Sequence, residues 1–536
     1  MKKRILTNAQ LYSFDRDSPH SDTVVIEEGR ISAIGKASDL IPQFSKGATI
    51  EDLRRAILMP SFTDSHIHLL AYGLSLQHVN GGAPKKQICL HQIANRVKKT
   101  NPGKWIVGHG WNHNIWANGY GSKEDLDKLS TLHPIYLTHK SLHTGWANSS
   151  ALEIAGINRL SPDPERGTIQ RDKSGEPTGI LIEGAVDMVE SVIPELDKSD
   201  REAAILEAQT ALHQYGITAV HDFDPWTVYE TINDLHKNNK LSLRITKGIP
   251  EPFLDQAIEG KLRSGIGNDW LKIGWLKLFS DGALGPQTAA MISPYENSQS
   301  LGMLFLSHED VIAYGEKALP NRIGLAVHAI GDRANQEVLL AMSDLNKKGL
   351  LKIPSLRSRI EHVQLIKEEH FQMFPSNRIV ASMQPIHASS DIKMAESNWG
   401  KRCSNSYAWR SLLQFGTQMI FGSDAPVESP NPFHGLHAAV TRKQLGDLSK
   451  NLSSWIPKQC IGLHDALKAY ISIPPIVGGF GEKIGKIKIG FEADFVLLST
   501  DFFKIADDDI QFALPLATMV NGNWVYKNDN IKIDIK

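Results

Sequence analysis

An α/β fold is what this sequence predicts: a (β/α)8 TIM-like barrel with a small β-sandwich domain built from both chain termini. Three observations predict it. Eight short apolar runs alternate with helix-like stretches, both ends of the chain have β-like texture, and one long interval holds β-like runs of its own. Alternating strand and helix signals indicate a parallel sheet with helical crossovers, and eight such units can close a barrel.

Taken in order, Val24-Val25-Ile26 and the run from Ile31 to Ile34 flank a Glu-Glu-Gly-Arg turn and read as a β-hairpin. The far end repeats this texture in Gly485 to Gly490, Ala493 to Leu498 and Met519 to Tyr526, where Asn521-Gly522 is a strong hairpin-turn signal. Neither end has enough strands for a stable sheet alone. Residues 1–57 and 479–536 are therefore expected to form one composite sandwich beside a barrel of residues 58–478. The first barrel strand is expected at 57–59, and the others at 217–221, 243–246, 273–279, 325–328, 359–363, 379–384 and 418–422. Helices are expected over 201–214, 309–319 and 333–346. About 150 residues separate the first strand from the second, far beyond an ordinary strand-to-helix loop. Residues 75–200, which include the β-like runs 105–108 and 135–138, are read as an insertion over the active site.

Composition narrows the class. The chain of 536 residues is 41% hydrophobic and 22% charged with a net charge of -1, which argues against nucleic acid or an anionic membrane as the main partner. Three widely spaced cysteines, Cys89, Cys403 and Cys460, suggest neither a disulfide framework nor a thiolate zinc site, so a cytoplasmic setting is the expectation. The apolar stretch after Met1-Lys-Lys-Arg ends at Leu6, too short for a signal peptide, and no apolar run is long enough to span a membrane.

The chemistry concentrates at the carboxyl ends of the expected strands, where barrel enzymes place their sites. His66 and His68 are one residue apart at the end of the first, and side chains at i and i+2 share a face and can converge on one ion. The fourth strand carries Lys277, the fifth His328, the sixth His362 and the eighth Asp424. Each has a bland reading alone: a hydrogen-bonded core histidine, a salt-bridged lysine, an aspartate in a turn. Their arrival in order on separate strand ends is what argues for a shared divalent metal. A desolvated Lys277 amine could take up carbon dioxide, giving a carbamate able to bridge two ions.

The motifs His66-Ile-His68, Trp275-Leu-Lys277-Leu-Phe-Ser-Asp281-Gly282, Val327-His328-Ala-Ile-Gly331-Asp332, Arg359-Ile-Glu361-His362, Gln384-Pro-Ile-His387, Gly422-Ser-Asp424-Ala-Pro426 and Gly490-Phe-Glu-Ala-Asp494 resemble the amidohydrolase superfamily. Within it the match is to the branch of YtcJ-like hydrolases and N-substituted formamide deformylases, amidohydrolase family 3, over about residues 5–526. The resemblance implies a metal shell of His66, His68, Lys277, His328, His362 and Asp424, with one or two ions, zinc the expected metal, and carbamylated Lys277 as bridge. His66, His68 and Asp424 would then hold the more buried ion, and His328 and His362 the second. It also implies a pocket histidine at His143, whose alternative, with Asn148, is to cap the helix starting near Ser149.

The expected activity is hydrolysis of an amide or formamide C–N bond in a small molecule by metal-activated water, with Asp424 as general base. His143, Gln384 or His387 would hydrogen-bond the developing oxyanion. His221 is expected to support the site from behind, Asp281 to orient the carbamate or contact substrate unless it serves a turn, and Trp111 to face a bulky substituent unless it is core. A one-metal deaminase of a heterocyclic amine and a catalytically inactive binding scaffold are the competing readings. A small-molecule substrate is the expected partner, and a homodimer is left open.

Overall fold

The computed structural model describes residues 3–14, 21–113, 116, 119–139, 144–164, 167–285, 287–296, 298–446, 453–499, 502–528 and 534–535. Two compact units emerge, Met1–Tyr72 with Ile205–Lys536, and Gly73–Ala204. The first includes an eight-stranded sheet, β1 (Phe62–Ile67), β2 (Ile217–Asp222), β3 (Arg244–Pro250), β4 (Leu271–Phe279), β5 (Leu325–Ala329), β6 (Arg359–His362), β7 (Val380–Met383) and β8 (Met419–Phe421). Each pairs in parallel with the next in chain order. Apolar side chains dominate these strands, as they must when both faces are covered. The three expected helices are present as Lys198–Gln214, His308–Ala318 and Asp332–Lys347.

The ends of β1 and β8 meet just past the ladder. His68 N–H donates to Ala425 O at 2.9 Å and Asp424 N–H to His66 O at 2.7 Å. The buried Asp64 carboxylate accepts from Ser423 N at 3.0 Å and Ser423 Oγ at 2.5 Å. At Gly422 a Cβ would stand 2.4 Å from His66 N, so only glycine lets the two strand ends come this close.

The first expected strand needs correcting. Ile57–Pro60 is a strand, but it pairs antiparallel with Phe495–Leu498 and belongs to a sheet of the terminal segments. The barrel begins beyond Pro60, in the more polar run Phe62–Ile67. Thr63, Asp64 and Ser65 look like loop residues, yet all three are buried, and their partners lie on other strands, beyond the reach of local pattern.

The terminal segments form two five-stranded sheets. One contains Lys3–Thr7, Thr23–Glu27, Arg30–Gly35, Ala48–Asp52 and Asp534–Ile535, the other Gln10–Leu11, Ile57–Pro60, Phe495–Leu498, Ala517–Val520 and Asn523–Lys527. Leu6, Val24, Ile26, Leu58, Phe495, Leu497 and Met519 share one core between them. Asn521 and Gly522 both have positive φ, 47° and 71°, as the two central residues of a tight hairpin turn require.

Arg244, at the start of β3 and fully buried, ties this sandwich to the barrel. Its guanidinium donates to Asp494 Oδ2 at 2.6 Å, Asp494 Oδ1 at 3.2 Å and Glu492 Oε2 at 3.3 Å, and lies 4.6 Å over the Trp270 ring.

The second unit is a six-stranded mixed sheet in the order Gly167–Arg171, Pro177–Glu183, Thr144–Ala147, Ile135–His139, Ile106–Trp111 and Val79–Asn80. Trp111, Trp116 and Trp146 sit together in its core, and Trp111 Nε1–H donates to Leu137 O at 2.9 Å. Asn148 caps the helix Ser149–Ile154 through Ala151 N–H at 3.0 Å, the capping role foreseen for it. Among the described residues no helix is long and apolar enough to cross a membrane.

Replacing Arg244 by Met leaves Asp494 buried without its counter-charge, and the chemical unfolding midpoint should fall by an amount worth about 3–5 kcal/mol. A midpoint equal to wild type in a denaturant titration would show that the ion pair is dispensable.

Candidate metal centre

The carboxyl ends of β1, β6 and β8 bring ligand atoms of His66, His362 and Asp424 within 4.8 Å of one another. His68 joins them from beyond β1: both His66 Nε2 and His68 Nε2 lie 3.4 Å from Asp424 Oδ1. The His328 ring is 4.5 Å from that of His362, centroid to centroid. Lys277 points its amine into the same cluster, 4.9 Å from the ring centres of Phe223 and Phe279, with no hydrogen-bond partner among the described residues. All six residues of the expected metal shell are thus gathered at one place.

The backbone at the site is held in unusual conformations. His362, Val363 and Asp424 have φ values of 72°, 47° and 62°, a left-handed region costly for side chains with a Cβ and most of all for a β-branched one. These turns aim the His362 ring and the Asp424 carboxylate back across the barrel mouth rather than along the strands.

Hydrogen bonds settle which nitrogen of each imidazole is free. His66 Nδ1–H donates to Glu361 Oε2 at 2.7 Å, leaving Nε2 with a lone pair on the Asp424 side. His328 Nε2–H donates to Gly282 O at 2.9 Å, leaving Nδ1 free. Glu361 is itself gripped by Arg359, through Nε to Oε1 at 2.5 Å and NH2 to Oε2 at 2.8 Å. Arg359 also donates to His221 Nδ1 at 2.9 Å, Ser65 O at 2.6 Å and Ser382 Oγ at 2.5 Å, and lies 4.6 Å over the Trp275 ring.

The electrostatics suit a cation. Burial, reinforced by Lys277, pushes His66 down to about 4 and His328 to about 3, so both stay neutral, as metal ligands must. Burial would raise Asp424, but His66, His387, His68 and His362 together hold its carboxyl well below the usual range. Burial also lowers the Lys277 ammonium to about 8 against the pull of Glu361 and Asp424. Neutral His66, His328 and His362 imidazoles, an ionised carboxylate, and buried His362 Nδ1 and Lys277 Nζ atoms without partners among the described residues fit a bound divalent ion.

The remaining expected residues are distributed unevenly. His387, on the helix Pro385–Trp399, reaches within 3.5 Å of Asp424 Oδ2, and Gln384, the N-cap of that helix just past β7, is buried. His221 meets Arg359, the supporting place expected of it. Asp281 serves the backbone: its oxygens accept from Ala290, Ile330 and Gly331 N–H groups at 2.8–3.0 Å, which braces segments distant from it in the chain rather than making the local Asp281-Gly282 turn. Trp111 belongs to the core of the second unit, and His143 lies outside the described residues.

Glu361 and Arg359 carry more of the site than their motif suggested, and Asp64 and Asp224 also contribute. Asp224 accepts from Leu70 N–H and lies 3.7 Å from His68 Nδ1. Two opposite charges at i and i+2 inside an apolar run were the available signal, since they share a face and must be paired to be buried. Glu361→Gln should weaken affinity for an added divalent ion such as zinc by about 10- to 100-fold, measured by competition with a chelating dye. Affinity equal to wild type would remove that role.

A family model described as the amidohydrolase family matches residues 49–526. The chain is 30% identical over 546 residues to Protein LONG AFTER FAR-RED 3 of Arabidopsis thaliana, covering 97% of this chain and 91% of that one. It is 29% identical to the putative amidohydrolase YtcJ of Bacillus subtilis (strain 168), covering 98% and 99%. With the N-substituted formamide deformylase of Arthrobacter pascens it shares 24% identity, again over 98% and 99%. Among solved structures, an uncharacterized metal-dependent hydrolase from Pyrococcus furiosus superposes with a TM-score of 0.74 at 27% identity, covering 93% of this chain and 99% of that one.

Proposed function

The chain belongs to the amidohydrolase family, and from that premise we propose that it is a metal-dependent hydrolase cleaving the C–N bond of a small N-substituted amide or formamide. One observation carries the reading: His66, His362 and Asp424 converge within 4.8 Å beside a buried, unpartnered lysine amine. The similarity to a formamide deformylase and to a metal-dependent hydrolase supports the direction.

His66, His68 and Asp424 would hold one divalent ion, and His328 and His362 a second, with carbamylated Lys277 between them. Imidazole and carboxylate donors suit zinc. The ion, when bound, supplies Lewis-acid polarisation of the substrate carbonyl and lowers the pKa of water.

The chain's own residues supply the rest. Asp424, kept ionised by the imidazoles around it, takes the proton of the attacking water and returns it to the nitrogen as the C–N bond breaks and the new C–O bond forms. His387, facing Asp424 Oδ2 at 3.5 Å, steadies the carboxylate that makes this transfer. Lys277, lowered by burial to about 8, has a neutral fraction near neutral pH that can add carbon dioxide. Phe279, 51% exposed with its ring 5.4 Å from that of His328, gives an apolar edge against which an N-substituent can lie.

Against a panel of N-acyl and N-formyl amines, Asp424→Asn should lower kcat by about 10²- to 10⁴-fold without loss of folding. Turnover like wild type would remove Asp424 as the base. Chelation should abolish activity and zinc should restore it; protein purified without metal and indifferent to chelators would remove the hydrolase reading. Lys277→Ala should lose bound metal together with activity, and intact-protein mass spectrometry of the wild type under carbon dioxide should show the carbamate that this variant lacks.

A further inference from the structure

Between β7 and the helix Pro385–Trp399 stands a buried glutamine whose side chain is unengaged among the described residues. Gln384 follows Met383 directly and is 1% exposed, and neither its Nε2 nor its Oε1 has a hydrogen-bond partner among the described residues. Buried side-chain amides are nearly always paired, so an orphan with both donor and acceptor free calls for an explanation.

The pleat of β7 gives its direction. Ser382, two residues earlier, turns its hydroxyl to Arg359 NH2 at 2.5 Å inside the barrel. Side chains at i and i+2 share a face, so Gln384 points the same way, one pleat nearer the carboxyl-end mouth. On one side, β6 is registered with Glu361 opposite Ser382, and the His362–Val363 turn follows directly from that strand end. On the other, Gly422 N–H bonds Met383 O at 3.1 Å, which sets the Ser423–Asp424 turn beside Gln384. One helical turn on, His387 faces Asp424. The orphaned amide is therefore level with the metal centre.

The orphaned Lys277 Nζ and His362 Nδ1 are accounted for by an ion. Gln384 is not, because a metal shell of imidazoles, a carboxylate and a carbamate is complete without it, and a neutral carboxamide is a poor competitor for such a site. Its complement is an uncharged group that offers both a hydrogen and an oxygen.

We propose that Gln384 reads the N–H of the substrate amide. Its Oε1 accepts that hydrogen while its Nε2–H donates to an oxygen of the same molecule, so the site selects secondary amides over tertiary amides and esters. The inference rests on the amide-hydrolase reading above. An ester of the same shape, or a tertiary amide with its added N-substituent, leaves Oε1 buried and unpaired, and that penalty appears in kcat/KM.

The test compares an N–H amide with its N-methyl counterpart, formanilide with N-methylformanilide first, or the matched pair of whichever N-acyl amine in the panel is turned over. Wild-type kcat/KM should favour the N–H member. Gln384→Met, nearly the same shape but without either polar atom, should shrink that preference by about 10- to 100-fold. Gln384→Glu, which keeps an acceptor, should retain a preference that the Met variant loses, and it decides the matter if the Met variant fails to fold. Equal turnover of both members by wild type, or a preference undiminished in the Met variant, overturns the proposal alone. A wild type that hydrolyses no amide in the panel overturns the parent reading and this inference with it.

Discussion

A guanidinium sealed inside a barrel has to be paired, and the pairing of Arg359 with Glu361 is the constraint on which the site depends. A lone buried charge is intolerable in such surroundings, whereas a bidentate pair with every remaining donor satisfied is tolerated. Arg359 meets that demand by drawing on Glu361 from its own strand, Ser65 from β1, His221 from β2 and Ser382 from β7. Each bond fixes one strand's height against its neighbours. Glu361 then orients the His66 ring through Nδ1, which turns Nε2 toward Asp424. The metal centre is thus seated on a charged layer whose own stability requires the strands to be in register.

A second buried carboxylate, Asp64, works at the seam. Burial pushes it up to about 7, against the hydrogen bonds from Ser423 and His66 that stabilise its charge. The same bonds tie β1 to the turn that presents Asp424. The left-handed backbone at His362, Val363 and Asp424 is unfavourable in isolation, so the packing around it must hold it in place. Strain of this kind costs about 1–3 kcal/mol per residue and persists where the surroundings leave no alternative. A glycine at position 422, which allows His66 N and Asp64 to approach, is part of that enclosure.

Legibility in the sequence followed the range of the interactions. Lys277, His328 and Asp424 could be read because they sit in or just beyond apolar runs, and a barrel brings such strand ends to one face. The strand that opens the barrel could not: Phe62–Ile67 carries Thr63, Asp64 and Ser65, and its claim to the interior comes from Ser423 and Arg359, hundreds of residues away. Local hydrophobicity favoured Ile57–Pro60 instead, a true strand of a different sheet. The role of Glu361 was hidden for the same reason, since its neighbour His362 offered the more familiar chemistry. Asp281 and Trp111 show the converse, because their chemistry allowed a functional role while the first is engaged by distant backbone N–H groups and the second by a core.

The strand leading into the barrel has its partner at the other end of the chain. Met59 is opposite Val496, and Arg244 at the start of β3 is neutralised by Asp494. During synthesis, β1 through β8 leave the ribosome before the segment that completes the sheet preceding them, and Arg244 waits without its counter-charge for the same stretch. Contacts so distant in sequence form slowly because a long loop must close first. Residues 492–498 supply both the carboxylates that neutralise Arg244 and the strand beside Ile57–Pro60, so both contacts require closure of a long loop.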